Sequence, residues 1–346
     1  MAYTTIDDPS EYFNTVLFTG NGANGHAITG VGFRPDWVWL KGRNAADGNN
    51  LWDINRGANK RLFTHNSNAE LADSNSLKSF DSDGFTMDND SGINGNGDTY
   101  VTWNWLGSNT TASNTDGSIT STVSANTTAG FSIVTYTGTG ANATIGHGLG
   151  KKPNSIFIKD RDNAKSWVVY NSNLTALKRL NLDTTNASVD ASEFQDTEPT
   201  TSVFSIATDN NVNGSSQKYV AYCFAEIQGY SKFGKYTGNG NTDGPFIYTG
   251  FKPAFLLVKN SSDGGEGGLF DSVRNTFNVV NARVSADSDG TEYSGDANRD
   301  FDFLSNGIKV RNGSAQVFNT SGQTHIYIAF AEHPFVSSEG VPVTAR

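Results

Sequence analysis

Short apolar runs of strand length recur along the whole chain, and clusters of Gly, Asn, Ser and Asp separate them. Trp37–Leu40, Ile156–Ile158 and Phe255–Val258 are such runs, while 94–97 and 263–268 are such clusters. Apolar runs of this length between turn residues are typical of β-strands. No stretch shows a convincing 3.6-residue period, so the pattern predicts an all-β protein with little helix.

One pattern of residues occurs three times with the same spacing. Each copy has a Thr-Gly-x-Gly turn, a proline sixteen residues after the threonine, and a lysine six residues after the proline. Spacing kept three times without a gap indicates internal duplication. The repeat-equivalent residues are Thr19, Thr137 and Thr237; Pro35, Pro153 and Pro253; and Lys41, Lys159 and Lys259.

The closing strands of the copies also match, at 100–105, 219–224 and 325–330. Copies one and three share a further mark, an aspartate followed three residues later by an arginine. The second copy lacks this mark. The residues that carry it are Asp53 and Arg56 in copy one, and Asp271 and Arg274 in copy three.

Each copy has about the length of one β-sandwich, roughly 100 residues. The sequence therefore predicts three tandem homologous β-sandwich modules, jelly-roll or lectin-like, at residues 12–106, 130–226 and 230–333. A short N-terminal arm (1–11) and a C-terminal tail (334–346) flank them. The Ser/Thr/Asn-rich stretch 107–129 is expected to join modules one and two, either flexibly or as an extended arm.

Composition excludes several classes of protein. The chain has 346 residues, a net charge of −10, and 17% charged residues without a basic cluster, which argues against a nucleic-acid partner. One cysteine excludes an internal disulfide framework and a cysteine-ligated zinc site. The chain has neither a membrane-spanning apolar run nor the pattern of a secretory signal, so no membrane insertion is expected.

No motif for catalysis, a cofactor or a metal emerges from the sequence. The five histidines are scattered, and neither a nucleophile elbow nor a phosphate-binding loop is present. Asp81 with Asp83, and Asp287 with Asp289, resemble the start of a calcium loop but lack the downstream glutamate, so ordinary turns are the alternative. We therefore expect no catalytic, cofactor-binding or metal-binding residues.

The repeated residues allow two interpretations each. The three lysines end strands, and they are either solubilising charges or contacts to a partner. The two Asp–Arg marks are either structural ion pairs that fix a loop or ligand contacts; an adjacent guanidinium lowers the pKa of a carboxyl, which favours the ion pair. Trp37 and Trp39 share one face of a strand. They either fill a core or stack on a sugar ring.

The set of motifs resembles a known family. Asp7–Phe13 leads into Thr15–Gly22, and Gly130–Gly138, Tyr222–Glu226 and Gly244–Pro253 follow. Together they are similar to virion-associated proteins of tailed phages that infect marine bacteria, cyanobacteria among them. The resemblance covers nearly the whole chain. It implies a virion structural protein of tail or fibre type and supplies no catalytic residues.

These observations predict a non-enzymatic virion protein, most simply a tail-associated fibre, adaptor or tip that presents loops to the host surface. A capsid decoration protein is the alternative, and a glycan depolymerase is a second one. Expected partners are other virion proteins and a host surface glycan or receptor, with a homotrimer or another symmetric assembly. Virions assemble in the reducing host cytoplasm, which fits the absence of disulfides.

Overall fold

The computed structural model describes residues 3–295, 299–313 and 317–342. The protein is nearly all β, with 42% strand and 2% helix, and its strands form several antiparallel sheets. No helix in the described part of the chain is long and apolar enough to cross a membrane.

The repeated stretches 12–106, 130–226 and 230–333 are here segments 1, 2 and 3. A 3-10 helix, Pro9–Glu11, precedes segment 1. The strands of segment 1 are β1 (Phe13–Thr19), β2 (His26–Thr29), β3 (Trp37–Gly42), β4 (Asn50–Asp53), β5 (Lys60–Phe63), β6 (Leu71–Ala72), β7 (Leu77–Asp81), β8 (Gly84–Met87) and β9 (Thr99–Trp105), with helix α1 (Ser91–Asn94) before β9.

Two strands, β10 (Ala112–Asn114) and β11 (Ser121–Asn126), precede segment 2. The strands of segment 2 are β12 (Phe131–Thr137), β13 (Ala143–Gly146), β14 (Ser155–Asp160), β15 (Val168–Asn171), β16 (Lys178–Asn181), β17 (Val189–Asp190), β18 (Val203–Ile206) and β19 (Lys218–Phe224), with helix α2 (Asn210–Asn213). Those of segment 3 are β20 (Ser231–Thr237), β21 (Phe246–Tyr248), β22 (Phe251–Asn260), β23 (Gly268–Asp271), β24 (Val284–Ser285), β25 (Phe301–Leu304), β26 (Gly307–Val310) and β27 (Thr324–Pro334).

The large sheets of the three segments follow one strand order. The first strand pairs with the closing strand, which pairs with the strand after the proline, and the following strands then add in chain order. The orders are β1-β9-β3-β4-β5-β6, then β12-β19-β14-β15-β16-β17 with β11 and β10 added outside β12, and β20-β27-β22-β23-β24. Each segment also has a small sheet: β2-β8-β7, β13-β18 and β21-β26-β25.

The repeated threonines and lysines occupy equal registers. Thr19, Thr137 and Thr237 each end the first strand and lie opposite the first residue of the closing strand. The three lysines each lie opposite the third residue of that strand. Pro35 and Pro153 precede their strands, whereas Pro253 lies inside β22 at a register shift. A bulge is a position where a strand tolerates proline, because no ladder hydrogen bond is lost there.

The small sheets and the large sheets enclose separate apolar clusters. In segment 1, Ile28 and Phe85 of the small sheet pack with Val38, Trp52 and Tyr100 of the large sheet. Segments 2 and 3 have equivalent clusters of their own. Side chains alternate between the two faces of a strand, so only one face of each large sheet packs against its small sheet. The other face packs against other parts of the chain.

That opposite face is shared, because the three large sheets meet in one central aromatic cluster. Trp37 lies 4.4 Å from Trp105 and 4.5 Å from Tyr222, and Phe13 stacks on Phe330 at 5.3 Å, measured between ring centroids. Aromatic pairs of this kind add about 0.5–1.5 kcal/mol each beyond the apolar area they bury. Within one chain these aromatic faces cover one another. The homotrimer stays a prediction.

The stretch between segments 1 and 2 is built into a sheet. β11 pairs antiparallel with β12, Val123 packs in the core of segment 2, and Ser124 is fully buried. Within residues 107–129, the structure places 112–114 and 121–126 in strands of the segment 2 sheet. The small polar side chains that suggested flexibility fit here because they lie against neighbouring backbone.

The N-terminal arm is also packed. Thr4 and Ile6 are buried, the hydroxyl of Thr4 donates to the carbonyl of Gln228, and Ile6 belongs to the central cluster. Within the C-terminal tail, the Ser338 amide donates to Asp7 Oδ1 at 2.6 Å. Residues 343–346 of the predicted tail lie outside the described residues.

Candidate functional site

The repeated charged residues converge on the three interfaces between segments, which we call the 1–2, 1–3 and 2–3 interfaces. The lysines are the first case. Their exposed fractions are 0–2%, so the expectation of solubilising surface charges is wrong. A strand end normally reaches water, but here loops of two segments close over each ammonium group.

Each lysine donates to a backbone carbonyl six residues further along its own segment, and so holds the loop after its strand. It also donates to a carbonyl of a neighbouring segment. The second contacts are Lys41 Nζ to Asp289 O at 3.0 Å, Lys159 Nζ to Ser67 O at 3.2 Å, and Lys259 Nζ to Thr184 O at 2.5 Å. Segment 1 thus reaches segment 3, segment 2 reaches segment 1, and segment 3 reaches segment 2, so the contacts close a ring.

Burial changes the titration of these groups. It lowers the pKa of Lys41 and of Lys159 to about 8, because an ammonium ion away from water loses hydration. It also lowers the pKa of Lys259, although Asp287 lies 3.5 Å from that Nζ and opposes the change.

The Asp53–Arg56 mark lies at the 1–2 interface. Arg56 Nε is 2.5 Å from Asp53 Oδ2, and its Nη1 is 3.1 Å from Glu70 Oε2. Arg161 of segment 2 binds both oxygens of Glu70, at 2.8 and 2.9 Å. The hydroxyl of Tyr222, also from segment 2, donates to Asp53 at 2.7 Å. The mark is therefore one part of a buried chain of charges that joins two segments.

The Asp271–Arg274 mark makes the same arrangement at the 1–3 interface. Arg274 Nε is 2.6 Å from Asp271 Oδ2 and its Nη1 is 3.2 Å from Glu292 Oε2. Arg43 of segment 1 binds both oxygens of Glu292 at 2.8 and 2.9 Å. Trp103 takes the place of the tyrosine, and its indole N–H donates to Asp271 at 3.1 Å.

The two bridging glutamates stay charged. Burial alone would raise the pKa of Glu70, but hydrogen bonds from Arg161 and the charge of Arg56 outweigh it and lower that pKa. Glu292 behaves alike, with Arg43 and Arg274 as its partners. Both carboxylates therefore act as permanent bridges between arginines and not as proton donors near neutral pH.

The 2–3 interface explains why copy two lacks the mark. By register, Asn171 and Leu174 stand where the other copies have Asp and Arg, and the facing residue of β27 is the apolar Ile328. The Arg–Glu pair is also replaced, since Ser188 donates its amide and its hydroxyl to the carbonyl of Ser261. The Asp–Arg mark, the facing aromatic residue and the Arg–Glu pair are thus all replaced together at the 2–3 interface, so no charge of this set is left unpaired.

One family model matches a stretch that contains nearly all of the three segments. Residues 8–334 match the model of a family described as a domain of unknown function, DUF7483. The chain belongs to this family. No curated protein and no solved structure matches the chain. None of these comparisons links the chain to phage virion proteins.

The two tryptophans of β3 are core residues. Trp37 and Trp39 are each 1% exposed, and the indole N–H of Trp39 donates to Asn49 Oδ1 at 3.0 Å. Stacking on a sugar ring would require an exposed ring face, so that interpretation is wrong.

The acidic turns use their carboxylates for local hydrogen bonds. Asp81 accepts from the hydroxyls of Ser79 and Thr86, and Asp83 accepts from two glycine amides of the loop after β2. Asp287 accepts from the Gly267 amide. Among the described residues no group of three or more His, Cys, Asp or Glu side chains could hold a metal ion.

Two open cavities lie at the interfaces. One, of about 330 Å³, lies between β1 and the loop after β23 and is lined by Phe13, Thr15 and Val273, among others. The other, of about 400 Å³, lies at the 2–3 interface beside Asn173 and Lys235. Both are bounded by an edge strand of one segment and a loop of its neighbour.

Sequence reasoning missed the partners that complete these interfaces. Tyr222 and Trp103 come from other segments, and Glu70 and Glu292 follow Arg56 and Arg274 by 14 and 18 residues. One signal was present: Arg43 and Arg161 both stand two residues after a repeated lysine, while segment 3 has Ser261 there. That difference follows the loss of the Asp–Arg mark in copy two.

Proposed function

We propose that this chain is a non-enzymatic structural protein of a phage virion, carried on the tail, that presents its loops to the surface of the host. The observation that carries the proposal is the use of the repeated charged residues. Lysines, Asp–Arg pairs and bridging glutamates hold the three segments together. The side chains of the lysines and of the Asp–Arg pairs are buried and those of the glutamates are partly buried, so these residues build a scaffold and leave recognition to the surrounding loops.

The scaffold is proposed to be three β-sandwich modules that arose by duplication of one ancestor. Equal strand orders, equal registers of the repeated Thr and Lys, and a small sheet packed on each large sheet support this. Each module is proposed to be a jelly-roll or lectin-like sandwich. Loops on a rigid scaffold are where recognition is usually found.

The location on the particle is tested by labelling. Antibodies raised against the purified chain, coupled to gold, are applied to phage particles whose genome encodes it and imaged by electron microscopy. Label on the tail is expected. Label over the head would replace the tail proposal by capsid decoration, and particles without label would contradict a virion role.

The absence of catalysis is tested with host polysaccharide. The purified protein is incubated with polysaccharide of the host, and released reducing ends are measured beside D53A and D271A variants. No release is expected from any of the three proteins. Release by the unmodified chain that either substitution abolishes would make the protein a glycan depolymerase.

A further inference from the structure

The first strand of every segment lies at the same side of its large sheet, so the chain has three equivalent edges: β12, β20 and β1. An unpaired edge offers a row of backbone N–H and C=O groups to any extended chain that approaches. The three edges differ in what lies against them, and this difference indicates what β1 is suited to bind.

The β12 edge is covered by the chain itself. β11 pairs along it with Thr122 opposite Thr135 and Asn126 opposite Phe131. The side chain of Asn55, in the facing loop of segment 1, donates to the carbonyls of Thr122 and Ile133. An added strand therefore fits between a first strand and the loop of the neighbouring segment.

The β20 edge is protected by charge. Lys232 and Lys235 stand on it, and Glu226 binds Lys232 at 2.6 Å and accepts from the Phe233 amide at 3.3 Å. Asn173 of segment 2 donates to the Phe233 carbonyl. Lysines and side-chain caps on an edge are features that prevent pairing with another chain.

The β1 edge has no added strand and no charged residue, and its side-chain cap is Asn14, whose Oδ1 accepts from the Thr15 amide. Its seven residues, Phe13–Thr19, are uncharged, and Val16, Leu17 and Phe18 are half-buried. The 330 Å³ cavity lies beside it, and Thr15 Oγ1 is buried there without a hydrogen-bond partner. The loop across the cavity exposes Phe277 to 79%. A long uncharged edge beside exposed apolar side chains is typical of an interface.

We propose that β1 pairs antiparallel with β1 of a second copy of this chain, around a twofold axis at Val16. Leu17 of each copy then lies opposite Thr15 of the other and enters the cavity beside it. At the 1–2 interface the equivalent place is taken by Ser124, which lies opposite Ile133 and bonds Asp36. At the 1–3 interface Ala254 replaces that aspartate by register, so the space suits a larger apolar side chain.

One side chain, that of Asn14, changes its contacts on pairing. The Thr15 amide now donates to Asn14 Oδ1 of its own strand at 2.9 Å. Asn14 therefore occupies the place of an incoming carbonyl and turns aside when a strand arrives. The Thr15 amide then exchanges one acceptor for another, and Asn14 Nδ2 gives up its hydrogen bond to the Val31 carbonyl at 3.1 Å. Most homo-oligomers are twofold dimers, and a self-complementary edge meets that symmetry. The pairing does not depend on the location of the protein on a virion.

The test is a charge on the edge. Leu17→Lys copies the β20 edge, because Lys235 occupies the equivalent register, so the segment fold should tolerate it. Leu71→Lys makes the same change on β6, at the far edge of the same sheet, and is the control. Sedimentation velocity from 1 to 100 µM should show a dimer for the unmodified chain and for L71K, and a monomer for L17K with an unchanged melting temperature.

A cross-link locates the contact. Facing residues of a non-hydrogen-bonded antiparallel pair have Cα atoms about 4.5 Å apart, within the range that a disulfide spans. Val16→Cys should therefore give a covalent dimer on oxidation, and Leu71→Cys should not. Cys223 is buried and does not compete. A monomeric unmodified chain at 100 µM, a dimer that L17K leaves intact, or no cross-link through Cys at position 16 would each overturn the proposal.

Discussion

A buried lysine at the end of a strand is the residue that most clearly links sequence to assembly in this protein. Lys159 is enclosed by carbonyls of Ser67, Asp160 and Lys165, so its ammonium group replaces water as the donor to all of them. From the sequence it has the position of a surface charge. Its role follows from the loop of another segment, which local spacing does not reveal.

Lys159→Met should lower the free energy of unfolding by about 2 kcal/mol. Methionine has a similar length but leaves buried carbonyls without a donor, at about 1–3 kcal/mol for each unsatisfied group, partly offset by removal of a desolvated charge. Urea denaturation measures the change, with the exposed Lys151→Met as the control. Equal stability of the two variants would contradict the role assigned to Lys159.

The lowered pKa values of Lys41 and Lys159 predict a pH dependence. Between about pH 8 and 10 these groups are neutral in the folded state and still protonated in the unfolded state, whose pKa is 10.5. The unfolded state then binds more protons, so the free energy of unfolding rises with pH relative to a K41M/K159M variant. Above pH 10 buried tyrosines such as Tyr136, whose pKa is raised by burial, act in the opposite direction. Urea denaturation of both proteins at pH values from 7 to 10 measures this difference. Free energies of unfolding that change equally with pH in the two proteins would exclude the effect.

At the scale of elements, each interface behaves as a matched set. Replacing Asp53 and Arg56 by the Asn and Leu of segment 2 should cost about 3 kcal/mol, since Tyr222 and Glu70 lose buried partners. Adding E70S, R161S and Y222I gives the 1–2 interface the residues of the 2–3 interface. The free energy of unfolding lost by this quintuple variant should be about 1–3 kcal/mol smaller than the sum of the losses of the double variant (D53N/R56L) and the triple variant (E70S/R161S/Y222I). Urea denaturation of the double, triple and quintuple variants measures this difference. Strictly additive losses would show that the residues do not act together.

The β11 strand is expected to stabilise segment 2 and to keep it from associating. Replacing residues 112–126 by a Gly/Ser sequence of equal length should lower the melting temperature and produce concentration-dependent association through the uncovered β12 edge. Replacing Ala112–Asn114 alone leaves β11 on β12 and is the control. Light scattering during thermal unfolding distinguishes them; identical behaviour would mean that β11 does not protect the edge.

Local patterns predicted the β class of the protein, and the three copies of one spacing fall on equal registers of three sheets. These features depend on neighbours in the sequence, such as the apolar run between Pro35 and Lys41. The contacts of Arg161 with Glu70 and of Arg43 with Glu292 depend on how segments close around one another. β11 was also missed as a sheet strand, because its Ser and Thr side chains lack the apolar alternation of a strand core.

The whole molecule should unfold in one transition. The central cluster takes Trp37 and Trp105 from segment 1, Phe224 from segment 2, and Phe255 and Phe330 from segment 3. Tryptophan fluorescence, which reports mainly on segment 1, and circular dichroism, which reports on all strands, should therefore give coincident urea transitions. A shortened chain ending at residue 229 should bind ANS and lose the cooperative transition. Separate transitions would mean that the segments are independent.

The contact between Arg43 and Glu292 joins residues 249 positions apart. During synthesis at roughly 5–20 residues per second, Arg43 leaves the ribosome on the order of ten to fifty seconds before its partner exists. In that interval the aromatic face of the first segment has no cover, and contacts of such sequence separation also slow folding. The nascent chain is therefore exposed to aggregation until the last segment emerges, and a chaperone that shields aromatic surface would raise its yield.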